Sequence, residues 1–149
     1  MTARSIYVDS NIFISHLIYD NSTHATSSKR VLTAVEKGIV VAYTSTLTWD
    51  EVVWVVRRVL GRPDSIQAGE KLLAFPNLRF VAASEEIIRS AQKISSEHSV
   101  APRDAVHLAS ALSKAVDLLI SDYSDLDVLP ELKRKGSDAF DPSPQPVRE

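Results

Sequence analysis

The segment Ser5-Ile6-Tyr7-Val8-Asp9-Ser10-Asn11-Ile12-Phe13-Ile14 constrains the fold more than any other part of the chain. Its first half, Ile6, Tyr7 and Val8, is an unalternated run of β-branched and aromatic residues, as in a strand covered on both faces. After Asp9 the period changes. Ile12, Phe13, Leu17 and Ile18 recur at helical spacing behind Ser10 or Asn11, either of which can cap a helix. A buried strand leading straight into a helix opens a parallel α/β unit. Ligands of such sheets bind outside the carboxyl ends of the strands, and Asp9 occupies that corner. Asp is also a favoured helix cap, and on this segment alone the capping reading is the simpler one.

The remaining chain repeats the alternation. An amphipathic helix is expected over residues 23–37, with Ala25, Val31, Leu32 and Val35 inward and Gly38 as its left-handed stop. A second buried strand follows over 39–43, then a helix over 47–60 ended by Gly61 and Pro63. The centre of that helix, Val52-Val53-Trp54-Val55-Val56, is apolar nearly all round and is expected to be packed on several sides. Further helices are expected over 65–75, with Ile66, Ala68, Leu72 and Leu73 inward, and over 85–98, capped by Ser84 with Ile87, Ile88, Ala91 and Ile94 buried. A strand at Leu78–Val81 separates them. Pro102 suits the first position of a helix that carries Asp104 in its first turn and an apolar stripe of Ala105, Leu108, Ala109 and Leu112. Leu118, Leu119 and Ile120 form a fourth strand ending on Ser121, Asp122, Asp125 and Asp127. A short helical piece over 129–135 and a last strand near Ala139 and Phe140 complete the domain, residues 1–140. The proline-rich tail, 141–149, is expected to stay unpacked.

A length of 149 residues suits one domain. The absence of cysteine excludes a disulfide framework, a thiolate zinc site and a Cys nucleophile, and fits a reducing cytosol. No apolar run reaches the length of a membrane span and no signal-like core follows the amino terminus, so the expected location is cytoplasmic. The formal charge of −2 argues against a protein that coats nucleic acid non-specifically, although local basic clusters can still hold a phosphate backbone.

In an α/β/α sandwich with a mainly parallel sheet, strand C-termini and helix N-termini share one edge. Asp9 and Asp122 end strands, Asp104 begins a helix, and Glu51 lies about one turn into another. Glu51 is also the acid on an apolar row, Leu47, Glu51, Val55 and Val59. Burial there demands a cation or strong donors, unless Thr48 and Glu51 form a capping box; that alternative fails if Ser45 is the true cap. Four acids therefore arrive at one rim. Two like charges about 4 Å apart cost on the order of 4 kcal/mol at an effective dielectric near 20, and a divalent cation removes that cost. Oxygen ligands without cysteine favour Mg²⁺ or Mn²⁺ over zinc, and phosphodiester hydrolysis is the chemistry such an ion serves.

Tyr7-Val8-Asp9-Ser10-Asn11-Ile12-Phe13-Ile14, Asp50-Glu51-Val52-Val53, Arg103-Asp104-Ala105-Val106-His107-Leu108-Ala109-Ser110-Ala111 and Leu119-Ile120-Ser121-Asp122 together resemble the PIN domain, in particular the VapC-like toxins of type II toxin-antitoxin pairs. The likeness runs from about Ser5 to Phe140. It implies an α/β/α sandwich and Mg²⁺- or Mn²⁺-dependent cleavage of single-stranded or loop RNA. It maps the family's four acids onto Asp9, Glu51, Asp104 and Asp122, with Asp9, Asp104 and Asp122 holding the main ion and Glu51 orienting or deprotonating the attacking water or supporting a second ion. Asn11 and Ser121 match the polar positions that orient carboxylates. Asp125 stands where some members add another acid, but Tyr123-Ser124-Asp125-Leu126 departs from the usual acidic-aromatic step. A toxin role implies a cognate antitoxin; the alternatives are an RNA-processing nuclease or a catalytically weak binding module.

Other signals weigh less. Arg103 could clamp a phosphate, against the simpler reading of an exposed arginine. His107, one turn after Asp104, has no second histidine at ligand spacing and is read as packing or as support for the acids. Trp49 and Trp54 do not share a helix face, and Trp54 is expected in the core or at a partner interface. Lys29-Arg30, Arg57-Arg58 and Lys133-Arg134-Lys135 could touch an RNA backbone, against the simpler reading of solvated surface. Ile14, Leu17, Ile18 and Tyr19 make the first helix more apolar than one buried face requires, which suggests a homodimer seam or an antitoxin groove. A haloacid-type phosphatase is disfavoured because Asn11, not Asp, stands two residues after Asp9. A receiver domain lacks its acidic pair and late lysine.

Overall fold

The computed structural model describes residues 3–18 and 23–143. It is a three-layer α/β/α fold around a five-stranded, all-parallel sheet: β1 (Ser5–Val8), β2 (Val41–Ser45), β3 (Leu78–Val81), β4 (Leu118–Ile120) and β5 (Arg134–Lys135), in the order β3-β2-β1-β4-β5. Ile6 and Val8 face one layer and Tyr7 the other. Period-two alternation thus explains why an unbroken apolar run is buried throughout. The first layer holds α1 (Ser10–Ile18), α2 (Thr23–Glu36), α3 (Thr46–Leu60) and α4 (Arg62–Leu73) over Ile6, Val8, Leu118 and Ile120. The second holds α5 (Glu85–Glu97) and α6 (Pro102–Ser113) over Tyr7 and Leu119.

The order of the strands reverses at β1 and β4, which pair with Tyr7 opposite Leu119 and Val8 opposite Ile120. Such a reversal opens the crevice where α/β folds bind ligands, and Asp9 and Ser121 flank it. No helix among the described residues is long and apolar enough to cross a membrane.

Several expected boundaries move, each for a local reason. Gly38 does take a left-handed conformation, φ 69°. The amides of Gly38 and Ile39 close α2 on Val35 and Ala34, so Ile39 belongs to the stop and β2 begins at Val41. Ser45 caps α3 by accepting the Leu47 N–H, which rules out the Thr48–Glu51 capping box. Only Gly61 separates α3 from α4, and Pro63 lies in the first turn of α4, where its missing N–H costs nothing. The central run of α3 is not packed on several sides: Val52 and Val56 are buried, but Trp54 is 48% exposed beneath the guanidinium of Arg58. Ile66, Leu73 and Ile88 also face outward, leaving Ala68, Leu72, Ile87 and Ala91 inside.

Residues 129–135 are not helical. Pro130 interrupts them, and the chain extends so that the Leu119 and Ser121 amides bond to Lys133 and Lys135. Near Ala139 there is a 3₁₀ turn, Ser137–Ala139, instead of a strand, followed by the buried Phe140. Tyr19 and the tail beyond Ser143 lie outside the described residues.

Candidate active site

Asp9 is 3% exposed at the end of β1, where its backbone N–H bonds to the Ile120 carbonyl. Its carboxylate does not take the amide two or three residues on, as a helix cap would. Instead Oδ1 accepts the Ser10 N–H (2.8 Å) and Oδ2 accepts the Ser121 hydroxyl (2.8 Å). Ser121 Oγ in turn accepts from Asn11 Nδ2 (3.3 Å) and the Tyr123 N–H (3.1 Å). The other amide atom of Asn11, Oδ1, is buried without a partner among the described residues.

Glu51 comes to the same edge because α3 is pinned to β1. Thr44 donates to the Val8 carbonyl (2.8 Å) and shares a hydrogen bond with Thr48 (2.7 Å), one turn before Glu51. Glu51 Oε1 lies 2.5 Å from His107 Nε2, and His107 Nδ1 lies 2.7 Å from the Tyr7 hydroxyl. His107 is 1% exposed, and its Nε2 is also 3.6 Å from Asp9 Oδ1. Burial alone would push the imidazole down. The hydrogen bond to Glu51 and the charges of Asp9, Glu51 and Asp104 outweigh it, so His107 binds a proton more readily than an ordinary histidine. Burial, reinforced by the Asp9 charge, holds the Tyr7 hydroxyl well above its ordinary range and so protonated.

Asp104 lies in the first turn of α6, partly exposed. Burial and then the Asp9 charge raise its carboxyl above the ordinary value; Glu51 and Asp125 add to this and His107 opposes it. Asp9, Glu51 and Asp104 therefore share one field, with Asp125 reaching it from an exposed 3₁₀ turn, Ser124–Leu126. Asp122 is committed elsewhere. Its carboxylate accepts the Ser137 N–H (2.7 Å) and hydroxyl (3.0 Å), and His24 Nδ1 lies 3.6 Å away. Arg30 grips the same turn through the carbonyls of Ser137 and Asp138. A Cβ on Gly136 would stand 2.8 Å from the Asp138 carboxylate and 3.4 Å from that of Asp122, so a larger residue there would displace the exposed Asp138 side chain. Asp127 pairs with Arg134 (2.8 and 2.9 Å), which also donates to the Ser121 carbonyl. Arg103 is exposed.

Sequence reasoning expected four acids on one rim, of which Asp9 and Glu51 meet at His107 while Asp122 is held by Ser137, and it did not find Tyr7, Thr44 and Thr48, which fix the first two. Their signal was faint: polar atoms inside apolar strands and an apolar helix. A hard divalent cation fits the donors present. The candidate ligands are carboxylate and amide oxygens, the charges of Asp9 and Glu51 raise the Asp104 carboxyl, and the buried Asn11 Oδ1 has no partner among the described residues. Among the described residues no three acidic or histidine side chains stand close enough to hold an ion as they are. Mg²⁺ asks less, taking one or two carboxylates and keeping waters.

A family model of the PIN domain matches residues 6–132, and the chain belongs to the PIN domain family. No curated protein sequence matches it. In fold it is similar to VapBC2 from Rickettsia felis, crystallised on a DNA fragment from its promoter (TM-score 0.69, 13% identity, 89% of this chain and 98% of that one). It is also similar to VapC20 from Mycobacterium tuberculosis, a sarcin-ricin loop cleaving toxin (0.68, 15%, 82% and 92%), and to DNA-bound VapBC from Salmonella typhimurium (0.66, 14%, 90% and 98%).

Proposed function

We infer that this protein is a Mg²⁺- or Mn²⁺-dependent endoribonuclease, the toxin of a toxin-antitoxin pair. The observation that carries the reading is the meeting of Asp9 and Glu51 at His107 Nε2, 3.6 and 2.5 Å away, with Asp104 one turn earlier on the helix of His107, beside the point where the strand order reverses. Asp9 and Asp104 would hold the ion, with Asp122 and Asp125 at its margin. When bound it neutralises charge on the scissile phosphate and acidifies water. Ser10 and Ser121 fix the Asp9 carboxylate, and Asn11 holds Ser121 in place. Glu51 Oε1 faces His107, which leaves Oε2 to accept the proton of the water that attacks phosphorus as the bond to the leaving oxygen breaks. Arg103, exposed beside Asp104, is available to the phosphate backbone.

The substrate class and the partner rest on likeness. RNA is supported by the PIN family match and by the fold shared with a toxin that cleaves the sarcin-ricin loop. An antitoxin is supported by the fold shared with VapBC complexes. A cavity of about 100 Å³ lined by Phe13, Leu17, Leu32, Leu72 and Phe75 beside α1 offers an apolar seat for one. The test is cleavage of ribosomal and single-stranded RNA with Mg²⁺, with chelator, and by Asp9→Asn. Cleavage that needs metal and disappears in the variant supports the reading; cleavage that survives both overturns it.

A further inference from the structure

We propose that His107 is a positioning residue of the catalytic site, holding Glu51 through Nε2 while its other nitrogen is anchored on Tyr7. The inference deepens the functional reading above and rests on it. Glu51 lies on α3, His107 on α6 and Tyr7 on β1, so the three side chains bridge both helical layers through the sheet. The path runs from the Tyr7 hydroxyl to Nδ1 at 2.7 Å and from Nε2 to Glu51 Oε1 at 2.5 Å. Tyr7 and His107 are both fully enclosed, and their rings meet edge to face with centroids 5.8 Å apart. A ring gripped this way cannot turn without losing packing as well as both hydrogen bonds.

The chemistry fixes which atom carries the proton. Glu51 can only accept when ionised, so Nε2 must donate. If the imidazole is neutral, Nδ1 then accepts from the Tyr7 O–H; if it is charged, Nδ1–H donates to the Tyr7 oxygen. In both states Nε2–H points at Oε1. A glutamate side chain has three rotatable bonds and would otherwise sample positions away from the rim. With Oε1 held, Oε2 is the oxygen left for the reaction. Asp9 Oδ1, 3.6 Å from the same nitrogen, keeps the donor between the two acids.

Glutamine and asparagine separate this role from packing, because glutamine places an amide near the position of Nε2 and asparagine near that of Nδ1. The test compares His107→Gln, His107→Asn and Tyr7→Phe with wild type in RNA cleavage, in Mn²⁺ binding by calorimetry without RNA, and in thermal unfolding. The expected result is a kcat about 10–100-fold lower for His107→Asn with KM within about twofold, and weaker Mn²⁺ binding. His107→Gln recovers most of both, and Tyr7→Phe falls between. Nitrogen-detected NMR of wild type is expected to show a protonated Nε2. The proposal is overturned if His107→Asn matches wild type, if glutamine and asparagine lose activity equally in step with melting temperature, or if Nε2 is unprotonated. Wild type that neither cleaves RNA nor binds Mn²⁺ overturns the functional reading and this one with it. Normal wild type with an unaffected His107→Asn overturns this one alone.

Discussion

At the scale of single residues, Asp104 shows how function and stability oppose each other. Burial and the Asp9 charge hold its carboxyl above the ordinary value, so the ionised form is a native-state liability without a cation. Asp104→Asn is therefore expected to raise the melting temperature of chelator-treated protein while reducing cleavage at least 100-fold; calorimetry and an RNA assay on one preparation check both. His107 gives a pH signature of the same sign. Its native pKa is raised above 6.5, so its contribution to stability is present below 6.5 and lost as pH rises through the native value. The groups facing it are Tyr7, Glu51, Asp9 and Asp104. Chelated wild type is expected to lose melting temperature above pH 6.5 more steeply than His107→Gln. Asp9 was legible because a strand ends on it. The burial of His107 against Tyr7 was not, because the two are 100 residues apart and only the crossing of α6 over β1 joins them.

At the scale of elements, α3 decides whether Glu51 reaches the rim. Its start depends on Ser45, which is also the last residue of β2 and pairs with Val81 of β3. Ser45→Ala is expected to cost about 1 kcal/mol, the usual cost of losing a cap. Urea unfolding measures it, and the loss of activity is expected to exceed the loss of stability because Glu51 lies in the turn that follows the capped first turn of α3. Local sequence allowed two starts for this helix, since Ser45 and Thr48 are both good caps. The sheet chose between them by extending β2 to Ser45. The outward placement of Trp54, Ile66 and Ile88 was illegible for a similar reason: which apolar row of a helix faces inward is set by its neighbour. The two-residue β5 was hidden because its pairing uses backbone atoms, and Lys133-Arg134-Lys135 reads as surface charge.

For the molecule as a whole, alternation of strands and helices gave the parallel three-layer fold, but strand order depends on which faces meet across long sequence separations. The order places acids from residues 9, 51 and 104 in one field, and the native state alone assembles it. A cation that binds only that state stabilises it by about 2.7 kcal/mol at 100 times its dissociation constant, about 5–10 °C in a chain of this size. Wild type is expected to show that upward shift with Mn²⁺ in thermal denaturation, and Asp9→Asn to show little of it.

The turn at Ser137 has a bearing on how this protein can be handled. Its hydroxyl and amide hold an acid beside the crevice, Arg30 clasps its carbonyl, and Phe140 is sealed inside just after it. A shortened version that stops at Lys135 would keep every helix yet leave Asp122 without its two donors and bare an apolar hole beneath α2. Tags, fusions and trimming therefore belong beyond Phe140, since the stretch from Ser137 to Phe140 is a fastening of the rim and not an appendage to it.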